Sequence, residues 1–115
     1  MYYHIGTTLL KLSRRKEAMQ HFRTAIERNP DYWQAHYSLG EELAFDNEIA
    51  NARREFEAVL RLNPNYPMAH LNLGVTLVKQ GDLENAARQF EETLRLQPQN
   101  PLAADYLRQL RSKKP

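Results

Sequence analysis

Four histidines, three serines and two pairs of adjacent glutamates are the residues of this 115-residue chain best placed to do chemistry. Nucleophilic catalysis needs a serine with a base and an orienting acid, and Ser13, Ser38 and Ser112 stand in no such pattern. General acid–base work needs two carboxylates facing one substrate. Glu41–Glu42 and Glu91–Glu92 are neighbours, which on a helix point about 100° apart. His36 and His70 lie 34 residues apart without an evident carboxylate, and are read as packed ring spacers rather than metal ligands. Zero cysteines remove thiol nucleophiles, disulfides, zinc knuckles and iron–sulfur ligands. The glycines stand singly, so there is no phosphate loop. The reading is therefore of a chain that is not an enzyme and has no metal or cofactor.

Charge and hydropathy narrow the partners. Sixteen Lys plus Arg against fourteen Asp plus Glu leave a net charge of +2, which disfavours nucleic acid. Arg14-Arg15-Lys16 and Lys113-Lys114 are the basic clusters, read as a helix start and a solubilising tail. Apolar runs of only a few residues leave no membrane-inserting segment, and Met1-Tyr2-Tyr3-His4 is no signal peptide. A soluble chain is expected, with the cytoplasm favoured.

Leu and Ala number twenty-eight against eleven Val, Ile and Thr, which is the composition of a helix former. A shift of 34 superposes Pro30, Pro64 and Pro98, then Ala18, Ala52 and Ala86, then Phe22, Phe56 and Phe90, then Gly6, Gly40 and Gly74. That is an internal repeat, dividing one domain over 1–115 into units 1–32, 33–66 and 67–100 with a final helix over 101–113. In the third unit Pro67 suits a first helical turn, Gly81 a left-handed stop, Asp82 a cap and Pro98 a terminator. Asn47 and Ser13 hold the Gly81 slot in the other units, Ser13 under slight strain. Asn100-Pro101 reads as a cap and first turn, and Arg108 fills the slot held elsewhere by glycine. Glu57 with Arg61, Glu84 with Arg88 and Glu91 with Arg95 read as exposed i,i+4 pairs.

His36-x-x-Leu39-Gly40-x-x-Leu43, Ala52-x-x-x-Phe56 and Pro64 recur as His70-x-x-Leu73-Gly74-x-x-Leu77, Ala86-x-x-x-Phe90 and Pro98. The first unit gives Tyr2-x-x-Ile5-Gly6-x-x-Leu9, Ala18-x-x-x-Phe22 and Pro30. Over its full length the chain resembles the tetratricopeptide repeat family. The resemblance implies an all-α, right-handed superhelical solenoid of three antiparallel helix hairpins plus one capping helix, seven helices in all. Small residues then let paired helices approach, and the phenylalanines fill the space between one hairpin and the next. The unit beginning at Met1 lacks the family's usual lead-in, which suggests a piece of a longer array or self-association near Tyr2, Tyr3 and Ile5.

The same resemblance implies a protein-interaction module without catalysis, its first helices lining a concave groove for a partner's peptide or helical segment. The groove candidates are Tyr3, His4, Thr7 and Lys11; Gln34, Tyr37, Ser38, Glu41 and Phe45; Met68, Leu71, Asn72, Val75 and Lys79; and Asp105 and Tyr106. Asn72 matches a family asparagine that holds peptide main chain. Chaperone-binding members clamp a terminal carboxylate with lysines, asparagines and an arginine, at positions matching Tyr3, Thr7, Ser38, Met68 and Asn72 here. The missing cations lead to the expectation that this groove is not such a clamp and takes an apolar or amphipathic segment instead. The alternatives are a non-catalytic repeat segment of a larger enzyme or membrane protein, for example a glycosyltransferase, and a homo-oligomerisation module.

Overall fold

A computed structural model describes residues 1–112 of the chain. Lys113 and Lys114, read above as a basic tail and the last turn of the capping helix, lie outside the described residues. Seven helices among the described residues follow one another as α1 (Tyr2–Lys11), α2 (Arg15–Arg28), α3 (Trp33–Phe45), α4 (Ile49–Leu62), α5 (Pro67–Lys79), α6 (Leu83–Leu96) and α7 (Pro101–Ser112). They pack as three hairpins, α1–α2, α3–α4 and α5–α6, with each hairpin's second helix against the next hairpin's first and α7 closing on α6. The stack is elongated, 48 × 25 × 21 Å.

The turns inside the hairpins follow one design. Ser13, Asn47 and Gly81 adopt φ of 61°, 62° and 80°. The next residue's amide then reaches back to the last turn, Arg14 N–H to Leu9 O at 2.8 Å, Glu48 N–H to Leu43 O at 2.9 Å and Asp82 N–H to Leu77 O at 2.9 Å. This left-handed stop satisfies carbonyls the helix end would otherwise orphan. Asp82 caps α6 through Asn85 N–H, and Asn100 Oδ1 accepts from Ala103 N–H at 3.0 Å at the start of α7.

Phe22, Phe56 and Phe90 are fully buried. They face the following element as expected, Phe56 beneath the α3–α5 cleft and Phe90 against α7, and they also pack within their own hairpins. Each ring lies on the glycine of its own hairpin, so close that a Cβ on Gly40 would stand 2.8 Å from Phe56 Cε1. Only after that does the ring's other surface meet an aromatic neighbour, as Phe90 does with Tyr106 of α7, stacked at 4.8 Å.

The two repeat histidines differ from expectation. His36 does have a carboxylate, with Nδ1 2.7 Å from Glu55 Oε1 of α4, while its Nε2–H donates to the Pro30 carbonyl at 2.9 Å. His70 repeats the arrangement with Gln89 at 2.8 Å and the Pro64 carbonyl at 2.8 Å. Both imidazoles are buried and pin the inter-hairpin loop to the helix pair that follows it.

On the outer surface Glu84 and Arg88 pair as expected, at a long 4.0 Å. The other two acid–base pairs are re-sorted, to a base four residues earlier, an acid three residues earlier and a base on the next helix. Glu57 takes Arg53, Arg95 takes Glu92, and Glu91 reaches Arg111 of α7.

Candidate functional site

The first helices of successive hairpins run side by side, and α3 touches α5 directly. Tyr37, Glu41 and Phe45 follow at i, i+4 and i+8 along one face of α3, and Asn72, Val75 and Lys79 follow similarly along α5. The two faces are joined at one end by a hydrogen bond in which Asn72 Nδ2–H donates to the Tyr37 hydroxyl at 2.9 Å. Beyond that crossbeam the helices part around a cleft of about 320 Å³, lined by Glu41, Phe45, Asn72, Val75 and Lys79 together with Ala44, Ile49, Phe56 and Thr76.

Burial pushes the Tyr37 hydroxyl well above its ordinary pKa, helped by the nearby Glu41 carboxylate, so it stays protonated and available as a donor. Tyr66, packed edge-on against Tyr37 at 5.0 Å, is raised for the same first reason. Glu41 is open to water at the rim yet recessed between the helices. That partial desolvation raises its carboxyl pKa, opposed by the Tyr37 hydrogen bond and reinforced by Glu42. Phe45 stands 77% exposed, with the Arg15 guanidinium over one face of its ring at 4.3 Å.

Of the positions expected to meet a peptide, the structure brings Glu41, Phe45, Asn72, Val75 and Lys79 to one cleft, with Tyr37 beside it through Asn72. Leu71 is elsewhere, only 3% exposed and part of the core. It holds the register of Tyr3 and Tyr37, but a leucine there packs inward. Tyr3 packs on Phe22 and Tyr32, Tyr106 on Phe90, and the Thr7 hydroxyl donates to His4 O, so these three serve packing or their own helix. Ser38 is half-buried and Met68 is exposed at the start of α5. Ala44, Ile49, Phe56 and Thr76 were not foreseen as lining, because they belong to the hairpin interior and show only where α3 and α5 part.

The tetratricopeptide repeat family model matches residues 39–101, and a second model of the same description matches residues 1–32. The chain belongs to the tetratricopeptide repeat family. Its three helix hairpins followed by one further helix are the family's architecture. No curated protein sequence matches it significantly.

Among solved structures, this tetratricopeptide domain is similar to the first such domain of Spaghetti (RPAP3) bound to the HSP90 peptide SRMEEVD. The TM-score is 0.90 at 21% identity, over 96% of this chain and 88% of that one. It is similar to the second such domain of human RPAP3 in complex with the HSP70 peptide SGPTIEEVD, with TM-score 0.88, 19% identity, and 97% and 93% coverage. It also resembles YrrB, a tetratricopeptide protein with an unusual peptide-binding site, at TM-score 0.80 and 30% identity over 90% of this chain. The chain spans 54% of YrrB's length.

These likenesses correct the expectation that the groove stands apart from chaperone-binding members. Its fold is that of domains holding HSP90 and HSP70 peptides. The expectation rested on five side-chain identities at Tyr3, Thr7, Ser38, Met68 and Asn72. Five side chains do not define a groove whose backbone course is shared, and neutral amide donors can also hydrogen-bond carboxylates and main chain. No helix among the described residues is long and apolar enough to cross a membrane.

Proposed function

We propose that this chain is a peptide-recognition module that holds an extended segment of a partner protein along the wall formed by α3 and α5. The observation that carries the reading is the α3–α5 cleft itself. An amide fixed by a tyrosine hydroxyl, an exposed aromatic ring, a carboxylate and an ammonium line one channel between parallel helices. Asn72 spends one N–H on Tyr37 and keeps its carbonyl and second N–H for a peptide main chain. Phe45 and Val75 offer apolar contact, and Lys79 a charge for an acidic side chain. The likeness to domains bound to SRMEEVD and SGPTIEEVD makes those peptides the first to test. Zero cysteines suit cytoplasm and periplasm equally, and the reading takes the cytoplasm as its setting.

The test is an anisotropy titration of labelled SRMEEVD and SGPTIEEVD, beside peptides selected from a displayed library, on the wild type and on a Phe45→Ala/Asn72→Ala variant of unchanged helicity. Binding that the variant weakens at least tenfold is expected. Chaperone peptides that fail while selected peptides bind would move the partner class but keep the module; no binding by any peptide would overturn it.

A further inference from the structure

The acidic side chains at the C-terminal end of α3 are not equivalent. Arg15, reaching across from α2, lies 2.6 Å from Glu42 and 2.9 Å from Asp46 and satisfies both. Glu41, one residue before Glu42, faces the cleft and has no cation within ion-pair distance among the described residues. Its neighbour is the Tyr37 hydroxyl, a neutral group. A carboxylate that lines a cleft without a counter-charge is a common mark of a binding site.

The walls around Glu41 are of another kind. Ala44, Phe45, Ile49, Val75 and the floor at Phe56 are apolar, and Phe45 is mostly exposed although Arg15 already covers one face of its ring. An apolar channel ending at a lone carboxylate matches a side chain with an aliphatic stem and a cationic head. A purely aliphatic side chain would fill the walls but strip water from Glu41 without repaying it.

Resting on the peptide-groove reading above, we propose that the α3–α5 cleft is a side-chain subsite for a lysine or arginine of the bound peptide, with Glu41 taking the charge and Phe45 and Val75 the stem. Lys79 is the one cation among the cleft's lining residues and sits outside ion-pair distance of Glu41. It weakens the subsite's field without filling it. A carboxylate held up in pKa is drawn back down when a cation arrives, so affinity for a basic peptide rises as pH climbs through the Glu41 titration.

The experiment selects heptapeptides from a displayed random library on the wild-type chain. It then compares synthetic versions of the best groove binder carrying arginine or norleucine at one position. Enrichment of Lys or Arg at that position is expected. The arginine form should bind about tenfold tighter than norleucine, a preference lost in Glu41→Gln, reversed in Glu41→Lys and enlarged in Lys79→Met. The arginine peptide should also tighten between pH 4 and pH 7 in the wild type and not in Glu41→Gln. Selected peptides that depend on Phe45 and Asn72 but show no basic preference, or a preference that Glu41→Gln leaves intact, would overturn the subsite while leaving the groove reading in place. If no peptide is selected, both fall.

Discussion

Added to Gly40, a Cβ would collide with the Phe56 ring at 2.8 and 3.0 Å, and that ring is fully buried. Gly40→Ala should therefore cost about 1–3 kcal/mol, measured by urea unfolding, as overpacking of a tight core does. At the hairpin turns the constraint is on the backbone. Gly81 has open space around it but a φ of 80°, and Ser13 adopts nearly the same conformation with a side chain. Ser13→Gly is expected to raise stability by about 1 kcal/mol by removing left-handed strain, seen as a higher Tm; an unchanged or lower Tm would contradict it. Both features were legible in the sequence, the turn from the shared register of Ser13, Asn47 and Gly81, the small residue from its 34-residue recurrence. That each phenylalanine ring also lies on the glycine of its own hairpin was not legible, since a repeat fixes register but not the direction of a ring.

The helices are joined by polar pins that composition hides. His36 ties the loop carbonyl of Pro30 to Glu55 on α4, and His70 does the same with Pro64 and Gln89 on α6. His36→Leu keeps the volume roughly but leaves the Pro30 carbonyl and Glu55 without this partner. It should cost about 1–3 kcal/mol by chemical denaturation. A neutral effect would mean that water replaces the pin without loss. The signal was present, because Glu55 and Gln89 are themselves 34 residues apart and each follows its histidine by 19. It went unread because a spacing of 19 means nothing until two helices are folded back on each other. The expected Glu91–Arg95 pair is lost for the same reason, as Arg111 competes for Glu91 only once α7 is in place.

Across the whole molecule, contacts run between neighbours in the stack, so the central hairpin carries load from both sides. Phe56→Ala should cost about 3–5 kcal/mol through the cavity it opens between α3 and α4, and an unchanged Tm would contradict the packing described here. The solenoid, its three units and its capping helix could be read from the sequence, because every unit repeats the same punctuation. The site could be read only in part. Helical spacing placed Glu41, Phe45, Asn72, Val75 and Lys79 on first-helix faces, but not which of those faces part to leave a cleft, nor that Leu71 turns inward. Five side-chain identities were also too narrow a basis for setting the groove apart from chaperone-peptide binders, whose fold it shares.

The claim that α3 and α5 form the peptide-binding wall is tested most directly by backbone amide NMR of the full chain titrated with a library-selected peptide and with SRMEEVD. Perturbations confined to the amides around Tyr37, Glu41, Phe45, Asn72, Val75 and Lys79 are the expected result. Perturbations clustered instead on the outer faces of α2, α4 and α6, or none at saturating peptide, would contradict it.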